Sequence, residues 1–330
     1  MENTFIGREI SFGAAIEAVR GVAEAGATKW FRKVNATIIP KTDRVVDDSS
    51  FGALEDAAQV RTVRKHNEGT LEGIVHADAI GYIFANLYGA PDSALVAGET
   101  EVFEHTFELD QSIQHPTLTL FVKDADVRDS KIANGVVSAL ELTVATDNYV
   151  RFKADFIGKE ETSATSDPSL DVEYDFVGRD VTLKLADSEA GLAAAEEIKI
   201  KTLSVKYNPH TIADYVVGDY SPEDIYNGAF SIEGSFTKNY VDQIFEDLGK
   251  GDDSKYAQIK VEGEATLGTS SHPTITLILN KLMVTDWSRK GAADELVTED
   301  VSFKAFYNSD DKKQSKLKLI NLTEAYGAGS

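Results

Sequence analysis

Three short blocks of this sequence occur twice, in the same order both times. The pairs are residues 71–73 (LEG) and 232–234 (IEG), residues 115–120 (HPTLTL) and 272–277 (HPTITL), and residues 150–154 (VRFKA) and 301–305 (VSFKA). The separation between partners shortens toward the C-terminus, which we interpret as shorter connections in the second copy, since loops tolerate deletion. The chain is therefore predicted to contain two similar domains in tandem.

Composition limits the class of protein. Hydrophobic side chains make up 42% of the 330 residues, which is enough for two separate cores. No apolar run approaches the roughly 20 residues that cross a bilayer, and Glu9 and Glu17 lie where a signal peptide is apolar. We therefore expect a protein without a membrane segment that stays in the cytoplasm where it is made. The lack of cysteine excludes disulfides and cysteine-bound metals, and suits either a reducing compartment or a particle free of redox-sensitive groups.

The chain is strongly acidic, with a formal net charge of −22 that both halves share. Such a surface repels nucleic acid phosphates, which argues against a module that grips DNA. Solubility through self-repulsion is the alternative explanation of the same charge.

Local patterns predict mainly strands. Residues 70–75 alternate, and residues 230–236 alternate more cleanly, with Phe230, Ile232 and Phe236 on one face. Helical spacing follows at residues 78–87 and 240–248, with Gly89 and Gly249 placed to end the two helices. Further strands are predicted at residues 118–122, 136–144 and 150–157 in the first copy, and at residues 275–279, 282–287 and 301–307 in the second.

These elements predict a mainly β fold with two tandem domains, each a β-sandwich or partly open barrel flanked by a short α-helix. We assign the first domain to residues 1–160 and the second to residues 173–330. Residues 161–172 have the composition of a linker between them.

Three segments are less regular. Residues 11–24 are compatible with a helix, although Gly13 and Gly21 weaken it, or with a docked arm. Residues 29–39 predict a strand stopped by Pro40, and residues 41–66 a long loop or splayed hairpin. Residues 209–227 are the irregular counterpart in the second copy.

No arrangement of side chains predicts catalysis. The six histidines lack the paired spacing of metal ligands, and the acidic turn at Asp124, Asp126 and Asp129 lacks the glycine and closing glutamate of a calcium loop. Residues 249–253 (GKGDD) place acidic groups where a phosphate loop must attract an anion. We therefore predict a non-enzymatic protein without cofactor or metal, and this favours a role in structure or assembly.

A set of diffuse β-protein motifs runs along nearly the whole chain. In the first half these are residues 7–9 (GRE), the Glu-Gly strand and the helix through residues 87–89 (LYG), and residues 136–159. In the second half they are residues 207–209 (YNP), 219–225 (DYSPEDI), 232–236 (IEGSF) and 317–323. By these motifs the chain resembles the tail tube proteins of long-tailed, non-contractile bacteriophages.

The resemblance implies a hollow tail for DNA delivery, in which six β-sandwich domains form a ring and their inner sheets join into one barrel. Many relatives have one domain per chain, so a tandem form predicts three chains per ring, a homotrimer with approximate sixfold symmetry. Implied partners are further copies of this chain and the tape-measure, tail-terminator and baseplate or tip proteins. Phage DNA is expected to pass through without specific binding, and the implied location is the virion tail, assembled in the bacterial host cytoplasm.

A lumen-facing set follows from the alternating strands as a hypothesis. Side chains on the wet face of equivalent strands are expected to point into the channel, where carboxylates offer no attachment to passing phosphates. The alternative is that these carboxylates lie on the outer surface. The predicted lumen residues are Glu72, Glu233, Thr70, Ser231, Ser235 and Glu141.

A second hypothesis concerns ring stacking. Residues 41–66 and 209–227 are long, irregular segments whose ordering is costly unless another molecule docks on them. The alternative is a mobile surface loop. The charged residues predicted to stack rings are Asp47, Asp48, Arg61, Arg64, Asp219, Glu223 and Asp224.

Two other functions stay open from the sequence. A cell-surface or secreted tandem β-sandwich for adhesion is equally acidic and repetitive, but it needs an export signal. An acidic glycoside hydrolase needs a proton-donating carboxylate in a cleft, and no motif identifies one.

Overall fold

The computed structural model describes residues 4–57 and 59–327. Nearly all of its regular structure is antiparallel β-sheet, accompanied by two short α-helices, one in each half of the chain. The predicted fold class, a mainly β protein with short flanking helices, is confirmed.

The helices are α1 (Ile80–Tyr88) and α2 (Ile244–Lys250). The first ten strands are β1 (Ile10–Ile16), β2 (Lys29–Trp30), β3 (Val34–Asp47), β4 (Gln59–Ile74), β5 (Asp92–Leu95), β6 (Phe103–Glu108), β7 (Leu118–Asp124), β8 (Arg128–Ala145), β9 (Arg151–Gly158) and β10 (Thr162–Ser163). The last ten are β11 (Val181–Ala186), β12 (Glu197–Ile198), β13 (Ile200–Asn208), β14 (Ile212–Asp214), β15 (Asp224–Tyr226), β16 (Ser231–Asn239), β17 (Lys255–Glu262), β18 (Thr274–Lys290), β19 (Thr298–Ala305) and β20 (Ser315–Asn321).

An antiparallel sheet of eight strands runs through both halves. Its order is β3-β4-β9-β8-β13-β16-β19-β18, so four strands of the first half are followed by four of the second in the same relative order. The seam between the halves is the ladder from β8 to β13, in which Leu142 lies opposite Val205. We call this the inner sheet. Its repeated order shows that the internal repeat is a repeat of topology.

Two long strands connect the inner sheet to a second layer. The N-terminal part of β8 pairs with β7 and β10, and β7 pairs with β1. The N-terminal part of β18 pairs with β17 and β20, and β17 pairs with β11. Apolar side chains fill the space between the layers, with Phe12, Phe156, Phe236 and Phe303 among the buried core.

The halves also exchange structure. Strand β6, from the first half, pairs along its whole length with β20. The turn after β5 is held by Glu99, whose carboxylate accepts backbone N–H bonds from Thr269 (2.7 Å) and Ser270 (2.9 Å), and these bonds lower the pKa of Glu99 to about 2.

Within the predicted linker, β10 pairs with β8. The domain boundaries at residues 160 and 173 stay a prediction.

The two helices form where helical spacing predicts them, but their surroundings differ. All nine residues of α1 are buried, and Tyr82 and Tyr88 contact Tyr326 and Phe230 of the second half. In α2 the buried residues are Phe245 and Leu248. The first helix is therefore enclosed by both halves, whereas the second lies at the surface.

Several local expectations are wrong. Residues 10–16 form strand β1, not a helix, because pairing with β7 and β2 buries their side chains. Pro40 does not end its strand: β3 pairs with β4 alone, so the missing N–H faces a free edge, where proline is tolerated. Residues 41–66 form the end of a long β3–β4 hairpin, and the two strands predicted at residues 275–279 and 282–287 are one strand, β18.

One of the three repeated blocks is not a structural repeat. Residues 115–120 lead into β7, which pairs with β1, whereas residues 272–277 lead into β18, the counterpart of β8. The strand equivalent to β7 is β17, which pairs with β11. The shortening inferred from that block is therefore wrong, and the larger difference is the β5–β6 hairpin, which the second half lacks.

Candidate functional site

A row of alternating charges crosses the polar face of the inner sheet. Strand register places the following residues side by side, one on each strand: Asn35, Glu72, Lys153, Glu141, Lys206, Glu233, Lys304 and Met283. Lys304 Nζ lies 2.6 Å from Glu233 Oε1, and Lys206 Nζ lies 3.5 Å from Glu141 Oε1 across the seam. Opposite charges on neighbouring strands stabilise this register.

All six residues of the predicted lumen set lie on this face. Glu72, Glu141 and Glu233 belong to the charged row. Ser231 and Ser235 flank it on β16, and Thr70 flanks it on β4, where its hydroxyl donates to Asp155 Oδ1 at 2.6 Å. The structure thus brings the predicted set together, and their position inside a channel stays a proposal.

The sequence reasoning missed the lysines of the row. Lys153 and Lys304 lie in the repeated blocks VRFKA and VSFKA, directly opposite Glu72 and Glu233. The repeated sequence blocks could have predicted this pairing. Both copies keep a glutamate in one block and a lysine in the other, as expected for opposite charges on neighbouring strands. Lys206 has no counterpart lysine, since Asn35 stands in its place on β3.

The opposite face of the same strands explains the repeated Glu-Gly pair. Gly73 and Gly234 lie opposite Phe152 and Phe303 in the apolar layer. A Cβ on Gly73 would lie 2.6 Å from the carbonyl oxygen of Lys33, and one on Gly234 would collide with the Phe303 ring. The glutamate therefore faces solvent while the glycine leaves room for the core.

The polar face is hollowed at the seam. A depression of about 390 Å³ lies over the junction of β8 and β13, and its lining includes Glu141, Lys153, Lys206, Glu233 and Lys304. The charged row thus lines a shallow concavity where the two halves meet.

The two segments predicted to stack rings meet at one end of the inner sheet. The β3–β4 hairpin contacts residues 212–226: Lys65 N donates to Tyr220 O at 2.8 Å, and the Arg64 guanidinium lies 4.3 Å from the centre of the Tyr215 ring. Lys65 also pairs with Glu160 at 2.7 Å, a contact that raises the pKa of Lys65.

The charged residues of these segments differ in availability. Asp48, Arg61, Arg64, Asp219 and Glu223 are exposed. Asp47 accepts the Ser49 N–H at 3.0 Å, and hydrogen bonding by the side chain and backbone of Ser49 holds the pKa of that carboxyl below its ordinary value.

Asp224 is occupied within the chain. Its carboxylate accepts bonds from Arg20 Nε (2.9 Å) and Asn134 Nδ2 (2.9 Å). Burial raises the pKa of Asp224, but the bonds from Arg20 and Asn134 outweigh burial and leave the pKa below its ordinary value. These contacts fasten residues 209–227 to the first half, so Asp224 positions the segment instead of presenting a free charge.

Both edges of the inner sheet lack a neighbouring strand in the described part of the chain. Strand β3 pairs with β4 only, and the C-terminal part of β18, from Met283 to Lys290, pairs with β19 only. The exposed apolar residues of the hairpin beyond the sheet are Val45, Val46, Phe51, Leu54, Val60 and Val63. Open strand edges and exposed apolar side chains are features of surfaces that bind other chains.

No helix in residues 4–57 and 59–327 is both long and apolar enough to cross a membrane. Over the same residues no group of three or more His, Asp or Glu side chains is arranged to hold a metal ion.

Comparison with protein families identifies the chain. The model of the phage tail tube protein family matches residues 7–305, nearly the full length. A search of curated proteins finds no match. Proteins of this family are structural components of the virion tail that assemble into a tube, and the family is not an enzyme class. The resemblance predicted from the sequence is confirmed: the chain belongs to the phage tail tube protein family.

Proposed function

We propose that three copies of this chain close into a ring by pairing the β18 edge of each copy with the β3 edge of the next. The wall then contains 24 strands, eight from each chain, and encloses the channel through which phage DNA passes into the host. Stacked rings form the tail tube. The observation that carries the proposal is the β8–β13 seam, which already joins two four-strand units in the way that the free edges require.

The internal seam supplies the register of the proposed one. Met283 on β18 holds the position that Glu141 holds on β8, since the two residues lie opposite the equivalent lysines of β19 and β9. Asn35 on β3 likewise holds the position of Lys206 on β13, opposite the equivalent glutamates of β4 and β16. At the internal seam Glu141 lies directly opposite Lys206. The proposed seam therefore places Met283 opposite Asn35 of the neighbouring copy. Pairing of the edges satisfies backbone groups that otherwise promote uncontrolled association.

The proposed channel wall carries balanced charge along its central row. The three glutamates predicted for the lumen each have a lysine opposite them, so the row is less acidic than the carboxylates alone suggest. The paired glutamates keep the lysines from acting as free phosphate-binding groups. The wall is therefore expected to bind DNA weakly, because its lysine charges are neutralised and the flanking groups are hydroxyls. In physiological salt the remaining electrostatic interaction with phosphates fades over about 8 Å.

Cysteine pairing tests the ring. The natural chain has no cysteine, so Asn35→Cys and Met283→Cys in one chain introduce the only thiols. Directly opposed residues of antiparallel strands lie roughly 4.5–5.5 Å apart between Cα atoms, within disulfide range. After assembly and oxidation we expect covalent dimers and trimers on a denaturing gel, with the closed trimer as the final product.

The control pair is Glu141→Cys with Lys206→Cys, which lies at the internal seam and is expected to form a disulfide within one chain. Met283→Cys alone is expected to stay monomeric on the gel. Covalent species larger than a trimer within isolated rings, or no intermolecular disulfide in intact tubes, would exclude the threefold ring with this seam.

We further propose that the β3–β4 hairpin, with residues 209–227, stacks one ring on the next. Its six exposed apolar residues and its charged residues Asp48, Arg61 and Arg64 supply the contacts. The tape-measure, tail-terminator and baseplate or tip proteins are proposed partners at the lumen and the tube ends. Assembly is proposed to take place in the bacterial host cytoplasm.

Removal of residues 45–60 tests stacking. The deleted hairpin end pairs with itself and, through Val45, with Arg61 only, so we expect the variant to fold with a thermal transition close to that of the parent. Tubes are expected to be absent by negative-stain microscopy. Val127→Lys is the control, since Val127 is an exposed apolar residue (58%) in the β7–β8 turn. Tubes of normal length from the deletion variant would show that the hairpin does not stack rings.

A further inference from the structure

Each half of the chain begins with the same lead-in. Residues 2–9 read ENTFIGRE and residues 173–180 read EYDFVGRD. Both end in a short 3₁₀ turn, Gly7–Glu9 and Gly178–Asp180, followed directly by strands β1 and β11. In both turns the last acidic side chain accepts a backbone N–H, from Ile6 (3.3 Å) in one and Val177 (2.9 Å) in the other. Residues 2–6 are therefore the counterpart of residues 173–177.

The second lead-in docks on the first half, beside the start of α1. Ala77 N donates to Tyr174 O at 3.0 Å. The Glu173 carboxylate, fully buried, accepts a bond from Ala79 N at 3.3 Å and pairs with Lys29 Nζ at 2.9 Å. This segment thus fills the space between α1 and strand β2, and it attaches the second half to the first.

In the second half, part of the equivalent place is open. A groove of about 640 Å³ lies between α2 and strands β11 and β12. Val241 and Ile244 in this groove are 76% and 56% exposed, whereas their counterparts Ile80 and Ile83 are 1% and 0% exposed. The larger apolar residues that line the groove are Leu185, Ile198, Val241, Ile244, Phe245 and Leu248.

We propose that this groove binds residues 2–6 of a neighbouring copy, as the space beside α1 binds residues 173–177 within one chain. The inference rests on the proposed ring. In that ring the β18 edge of one copy meets the β3 edge of the next, and α2 lies on the same side of the second half as β18. The groove beside α2 therefore faces the copy that supplies the lead-in. Ile6, 62% exposed in the single chain, supplies apolar surface for Val241 and Ile244. Burial of these apolar side chains against each other is a source of affinity between subunits.

The docking is not an identical copy of the internal one. In the first half, Tyr174 of the lead-in lies beside Ala77. At the corresponding place in the second half, Glu299 of β19 lies beside Lys238, so that place is already filled. The incoming segment therefore lies in the groove above the sheet. Lys199 at the rim of this groove is 88% exposed, so the groove offers an exposed lysine where the first half has the mostly buried Lys29.

Two single-cysteine chains, mixed before assembly, test the docking. One carries Asn3→Cys and the other Val241→Cys, and oxidation is expected to yield a disulfide-linked dimer containing one of each. Lys250→Cys replaces Val241→Cys in the control, because Lys250 lies at the far end of α2 and is exposed. The control mixture is expected to yield only background cross-linking.

The result is read together with the Asn35/Met283 pair. Cross-linking at both places supports the docking within the proposed ring. Cross-linking of Asn35/Met283 without Asn3/Val241 overturns the docking and leaves the ring. Failure of both pairs overturns the docking and the ring together. Cross-linking of Asn3 to Lys250 as efficient as to Val241 would also overturn the docking, since the segment would then have no fixed place on α2.

Discussion

Glu299→Ala is expected to lower the free energy of unfolding by roughly 3–5 kcal/mol, the range for breaking a buried ion pair from one side. Glu299 is fully buried, and its carboxylate lies 2.8 Å from Lys238 Nζ, which is 5% exposed. It also accepts the Trp287 indole N–H at 2.7 Å. Alanine leaves an ammonium group under α2 with Asp242 as its remaining anionic partner, at 3.3 Å, and leaves the indole N–H without its acceptor.

The same strand pair provides a matched control. Glu233 and Lys304 also join β16 to β19, but their side chains are 56% and 38% exposed. Glu233→Ala is therefore expected to cost about 0.2–1 kcal/mol, as exposed pairs do. Equilibrium urea unfolding of the purified single chain measures both values. A loss at Glu299 no larger than at Glu233 would show that the buried pair does not stabilise the fold.

The second large effect is a dependence of stability on pH through His76. This side chain is 3% exposed, and burial lowers its pKa to about 4, assisted by the positive charges of Lys33 and Arg32 and opposed by Asp175. In the unfolded chain the pKa returns to about 6.5. Between these values the unfolded state binds more protons than the folded state. The free energy of unfolding therefore falls as pH drops from about 6.5 to about 4, by roughly 3 kcal/mol.

Comparison with His76→Gln isolates this contribution. Buried acids nearby also titrate, since burial raises the pKa of Glu173 and of Asp78, but they are present in both proteins. The difference in unfolding free energy between the natural chain and the variant is expected to change across pH 6.5 to 4 and to stay constant above pH 7. An NMR titration of the His76 ring gives the folded pKa directly. A midpoint near the ordinary value would contradict the argument.

Much of the fold follows from local chemistry. Alternating polar and apolar residues on β4 and β16 predict which side chains face the core, because successive residues of a strand point to opposite faces. Helical spacing followed by Gly89 predicts α1, and its backbone at that glycine has φ +110, a conformation that glycine adopts without strain. These signals need only neighbouring residues, and for that reason the sequence reports them.

Strand partners are decided by the tertiary structure. The blocks at residues 115–120 and 272–277 are nearly identical, yet they enter β7 and β18, which are different strands of the repeated unit. Pro40 looks like a stop but lies within β3 because that edge is free. Periodicity indicates the face of a strand and not its neighbour, since pairing depends on residues far away along the chain.

The candidate site divides in the same way. The sequence by itself determined that glutamates and hydroxyl residues share the wet face of equivalent strands, and that the chain is a duplicated, mainly β member of the tail tube family. Only the tertiary structure placed Lys153, Lys206 and Lys304 opposite those glutamates. It also paired Asp224 with Arg20 inside the chain and left the β3 and β18 edges open. Side-chain alternation is a local property, whereas charge pairing and free edges arise only when distant strands are brought side by side.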